Sequence, residues 1–208
     1  MFIKSSDLIR LMTKAYKGIG MHVGNDAGNI FLHGRQWAVY LLKDYVPKEI
    51  VGHVWTLSGA FPDEGEQYLA NRDDGNQQEM FQSVTKLQDA YRRAMEIETN
   101  GNLAAFTNLF VTSTNGIFAL YQDLKEKKLH AVPENLNIVR RNLCEDGEEM
   151  EIPVFDNAGA LYYRSSHMAM VILTMDHSEF EESNPDLAKT MKSLQQCELP
   201  IWSRPNEA

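Results

Sequence analysis

The chain has 208 residues, 43% of them hydrophobic and 24% charged, with a net charge of −9; this is the make-up of a soluble globular protein of one large domain or two small ones. No apolar run approaches the ~20 residues that a membrane helix requires, and the N-terminus lacks the basic-then-apolar pattern of a signal peptide. The negative balance argues against nucleic-acid binding by the whole surface but leaves room for one basic face.

In chain order, Phe2 to Lys4 reads as a short strand, and Ser5 or Ser6 as the N-cap of a helix carrying the stripe Leu8, Leu11, Met12 and Ala15. Gly18 and Gly20 stop it. Met21 to Val23, Ile30 to His33 and Gln36 to Lys43 then read as a meander of three strands. Val46-Pro47 starts a second helix that runs to about Leu57, since proline suits a first helical turn. A strand around Gln67 to Ala70 and the turn Asp73-Asp74-Gly75-Asn76 close residues 1–76, the first expected unit.

Residues 77–175 form the second expected unit: a helix from Thr85 to about Glu98, strands at Phe106 to Thr112 and Ile117 to Gln122, and an extended run Leu129 to Val132. A helix from Pro133 to about Leu143 and three strands, Met150 to Phe155, Leu161 to Ser165 and Met168 to Met175, follow. Residues 176–208 read as an acidic tail with a short helix from Pro185 to Gln196.

The chain says several things twice. Met1 to Ala15 matches Met80 to Ala94, with Leu8 on Leu87 and Lys14 on Arg93. Tyr45-Val46-Pro47 matches Ala131-Val132-Pro133, and the turn Asn25 to Phe31 matches Ser113 to Phe118. Three matches in the same order make a duplicated unit the working reading.

That plan, together with Phe110-Val111-Thr112-Ser113-Thr114-Asn115-Gly116-Ile117-Phe118-Ala119-Leu120 and His130-Ala131-Val132-Pro133-Glu134-Asn135-Leu136, resembles the DNA sliding clamp family (the DNA polymerase III beta subunit type). The first phrase is similar to the clamp hairpin whose turn usually carries Thr-Asp-Gly, although Asn115 stands in place of the Asp. The resemblance spans about residues 1 to 175. It implies an α+β fold of two tandem clamp-like units, each with two helices on one face of a curved antiparallel sheet. It also implies a non-enzymatic processivity factor that forms a homo-oligomeric ring on duplex DNA and docks a polymerase or another replication protein, with no cofactor. The small size and divergence suggest a phage or mobile-element origin.

The charges offer a separate test. If helices line a DNA channel, basic residues should collect on their outward stripes, because phosphate contacts need only Lys and Arg facing the duplex. Arg10, Lys14 and Lys17 recur at helical spacing away from Leu8 and Leu11. Lys86, Arg92 and Arg93 lie opposite Leu87, Ala90, Tyr91 and Ala94, and the second helices add Lys48, Arg140 and Arg141. Nine of the 20 basic residues thus fall on four expected helices, with about five of the 29 acidic ones. Exposed helix faces favour Lys and Arg in any case, which is the alternative reading.

Other chemistry is not declared. The six histidines never form HExxH or stand with Cys at metal-ligand spacing, so isolated surface histidines are expected, although His22 and His33 could meet across neighbouring strands. No phosphate-loop, dinucleotide or nucleophile-elbow motif is present. Cys144 and Cys197 fit reduced thiols in a cytoplasmic setting. Gln196 to Trp202 has the spacing of clamp-binding peptides, but a tail packing Trp202 on its own domain is the simpler expectation. Besides the clamp, a clamp-fold protein that inhibits a host replication or defence protein without binding DNA remains open, as does a small enzyme built from the histidines.

Overall fold

The computed structural model describes residues 1–73, 75–77, 101–144 and 150–197, with side chains omitted at 75–77 and 141. The fold is mixed α/β and divides into two compact units that interleave along the sequence. One comprises Met1–Ile97, Ile138–Glu151 and Tyr163–Val171; the other comprises Glu98–Asn137, Ile152–Tyr162 and Ile172–Ala208.

In the first unit, α1 (Ser5–Lys17) buries Leu8, Leu11 and Met12 as its periodicity dictates. Its N-cap is Lys4, and no side chain caps it, so neither serine has the expected role. The antiparallel strands β1 (Met21–Asp26), β2 (Asn29–His33) and β3 (Trp37–Leu41) form the expected meander, with β4 (Gln67–Asn71) on the other side of β1 and β5 (Gly75–Gln77) outside it. Alternation places Met21, Val23, Ile30, Leu32, Val39 and Leu41 in the core. The β1–β2 turn needs positive φ at both central residues, and Ala27 (52°) and Gly28 (91°) supply it.

Helix α2 (Lys48–Ser58) buries Ile50, Val54 and Ser58. Pro47 is its N-cap rather than its first helical residue, and Gly59 ends it with φ 69°, its N–H donating to the Trp55 carbonyl at 2.8 Å. The expected strand at Phe2 to Lys4 does not form. Phe2 and Ile3 are fully buried in an extended lead-in, the Phe2 carbonyl accepts from the Arg140 N–H at 2.8 Å, and the Phe2 ring leans on Tyr163. The apolar run there is a plug in the core rather than a rung of a ladder.

In the second unit, β6 (Asn102–Ser113), β7 (Gly116–Asp123) and β8 (Leu129–Pro133) pair antiparallel, and a bulge at Asn108 (φ 59°) shifts the β6 register. Leu103 pairs with Val154 of β9 (Val154–Phe155), which in turn pairs with β10 (Ala160–Arg164). The expected strand from Met150 shrinks to β9 because Pro153 has no N–H to offer a ladder. The last strand, β11 (Met168–Leu173), begins in the first unit. Phe118, Leu120, Leu129 and Ala131 form a core with Phe180 of α3 (His177–Phe180) and with Leu187, Ala188 and Met191 of α4 (Pro185–Gln195).

The helix expected from Pro133 is absent. Glu134–Leu136 and Arg141–Leu143 are single 3₁₀ turns, and Asn137 leaves helical geometry at φ −78°, ψ 60°. Asn137 is held instead by tertiary structure, its amide oxygen accepting from the Tyr121 hydroxyl at 2.9 Å, and Asn is a weak helix former. The Thr85 to Glu98 helix lies outside the described residues. Of the three repeated phrases, the two turns both join antiparallel strands, whereas the two Val-Pro pairs lead into different structures, an α-helix and a 3₁₀ turn.

Candidate nucleic-acid interface

Helix α1 turns Arg10, Lys14 and Lys17 to solvent, because Leu8, Leu11 and Met12 occupy the opposite face. Its acidic residue, Asp7, is half-buried and pairs with Arg10 at 3.2 Å. Three basic residues against one acidic leave the helix positive within a chain of net charge −9. Lys14 and Lys17 also suit the negative end of the α1 dipole.

Lys48 does not share that explanation. It is exposed in the first turn of α2, at the positive end of that dipole, where a cation is disfavoured and an anion is attracted. The two helices are joined by a hydrogen bond. The Thr13 hydroxyl donates to the Ile9 carbonyl at 2.9 Å, so it can only accept from His53, whose Nε2 stands 2.8 Å away. Burial lowers the His53 pKa, so this imidazole adds no charge to the face near neutral pH.

Arg140 is exposed on an irregular stretch, its guanidinium donating to the Val139 carbonyl at 2.9 Å, rather than on a helix. Arg141 begins a 3₁₀ turn. Lys86, Arg92 and Arg93 lie outside the described residues, as does Trp202.

Of two further features, the sequence offers the first only as the less favoured alternative and gives no sign of the second. His22 and His33 are register partners on β1 and β2 with ring centroids 5.4 Å apart, so they are a pair rather than isolated histidines. Their alternation with buried Val23 and Leu32 was the available signal. Burial, with His22 close by, lowers the His33 pKa. Among the described residues no group of three or more potential metal ligands gathers, there or elsewhere.

The second feature is a cavity of about 280 Å³ in the second unit, walled by Asp123, Glu126, His130, Asp156, Asp176 and Glu179 among others. Asp123 accepts from Asn102 at 2.7 Å and from the N–H groups of Lys125 and Glu126, and Asp156 holds the N–H groups of Ala158 and Ala160. Burial alone would raise the pKa of Asp176, but hydrogen bonds from Lys128 at 2.5 Å and from Ser178 outweigh it and hold it well below the usual carboxylate range. The cavity is therefore anionic, the wrong sign for a phosphate backbone.

No protein-family model matches this sequence, and no curated protein does. Among solved structures, a crystal structure described as a DNA polymerase III beta subunit from Eubacterium rectale aligns at 13% identity and a TM-score of 0.34, covering 82% of this chain and 63% of that one. The chain thus spans less than two thirds of that protein's length, and a likeness of this degree carries no argument by itself. No described helix is long and apolar enough to cross a membrane.

Proposed function

We propose that this chain is a non-enzymatic, clamp-like protein that associates with duplex DNA through the α1–α2 face and serves as a docking platform in replication. The supporting observation is the row of exposed cations Arg10, Lys14 and Lys17 on one helix of an acidic chain, with Lys48 at the start of its neighbour. Contacts of this kind are non-specific and salt-sensitive, which suits sliding. Lys86, Arg92, Arg93, Arg140 and Arg141 are the further candidate contacts in this reading, and the chain closes a ring as a homo-oligomer. A ring is retained on nicked circular DNA and runs off once the circle is linearised; equal retention on both forms contradicts encirclement.

The anionic cavity favours a second reading, in which the chain binds a basic partner protein and no DNA. Under that reading the variant Arg10→Glu/Lys14→Glu/Lys17→Glu behaves like the wild type toward DNA.

A further inference from the structure

On the face of the sheet away from Val23 and Leu32, β1 and β2 set two histidines directly opposite each other. His22 and His33 are register partners, so the ladder itself holds their Cβ atoms at the ~4.5–5.5 Å of a cross-strand pair. Both flanks of that ladder are fixed, because His22 also pairs with Leu69 of β4 and His33 with Ala38 of β3. Both side chains are half-buried. Like charges in directly opposed positions repel, and burial, with His22 close by, lowers the His33 pKa. His33 is therefore neutral near pH 7, and a neutral imidazole keeps one nitrogen lone pair to give to an acceptor.

Two imidazoles on one tetrahedral zinc ion, with metal–nitrogen bonds of ~2.0–2.1 Å, place their ring centres about 5 Å apart. The His22 and His33 centroids stand 5.4 Å apart. The rings are inclined at 62°, and the χ2 rotation that aims one nitrogen of each at a shared point is a soft torsion. Their neighbours on this face, Phe31, Leu69 and Ala38, carry no donor. Among the described residues no third protein ligand joins them, so the remaining positions fall to water.

We propose that His22 and His33 together bind one divalent transition-metal ion, zinc or copper, with water completing the coordination. Imidazole nitrogen suits these ions, whereas magnesium and calcium take oxygen ligands. The proposal is independent of the nucleic-acid reading, since none of the residues assigned to DNA takes part.

The test titrates the full chain, without any added histidine tag, with Zn(II) and with Cu(II) at pH 7.5 in a calorimeter. The wild type binds one ion per chain, Cu(II) more tightly than Zn(II), and Mg(II) does not bind. His22→Gln and His33→Gln each weaken binding by at least the roughly 10- to 100-fold that loss of an outer-shell partner alone costs. His22→Cys, which exchanges one zinc ligand for another, retains Zn(II) binding. Electron paramagnetic resonance of the Cu(II) complex shows coupling to two imidazole nitrogens in the wild type and to one in either Gln variant. Binding unchanged in both Gln variants would overturn the proposal by assigning the ion to other histidines. One ion per two chains would overturn it in favour of four imidazoles from two copies, and no saturable binding of either ion would overturn it outright.

Discussion

At the scale of single residues, His130 is a group that folding changes strongly. Its ring is buried, stacks on Phe155 with centroids 4.2 Å apart, and pairs through Nδ1 with the Thr174 hydroxyl at 3.0 Å. That hydroxyl donates to the Gly159 carbonyl at 2.5 Å, so Nδ1 carries the proton. Burial first, and then the charge of Lys128, lowers its pKa from 6.5 to about 4. A histidine held neutral contributes stability that is complete above its unfolded pKa and is lost as the pH falls from about 6.5 toward 4. The loss should approach about 3 kcal/mol, read from urea midpoints at pH 7.5 and 4, and His130→Gln should flatten it. A wild-type midpoint that does not move over that range would contradict the burial of a neutral ring. None of this was legible in the sequence, because Phe155 and Thr174 are remote in the chain and no spacing rule links them to position 130.

At the scale of elements, local pattern was enough where it met no competition. The apolar stripe of α1, the Val-Pro start and Ser-Gly stop of α2, and the β6–β7 hairpin all stand where periodicity and turn chemistry put them. It failed where tertiary contact intervened: Pro133 invited a helix, but Asn137 is held by the Tyr121 hydroxyl and leaves helical geometry, and a single 3₁₀ turn results. The apolar run at Phe2 suggests a strand, but it serves to bury two side chains, Phe2 and Ile3. Gly52 gives a test at this scale. It sits in the interior of α2 in open space, so Gly52→Ala should stabilise the protein by about 0.5–1 kcal/mol through helix propensity. A lower urea midpoint in the variant would show that something packs on that face in solution.

At the scale of the whole molecule, charge segregation was the part of the candidate site that the sequence carried. Helical spacing alone separates Arg10, Lys14 and Lys17 from Leu8 and Leu11, and the structure exposes all three. What the spacing could not supply was the neighbourhood: His53 on the next helix, and the anionic cavity of the second unit, assembled from three stretches of chain. An acidic protein with one cationic face should approach a polyanion in one orientation, with its remaining surface repelled.

The most direct test is therefore the salt dependence of binding to nicked circular duplex. Every cation withdrawn from a phosphate should reduce the log–log slope by about 0.9, so Arg10→Glu/Lys14→Glu/Lys17→Glu should bind more weakly than the wild type, with a slope shallower by about 3. A variant with the affinity and slope of the wild type would contradict the assignment of the α1 face to DNA.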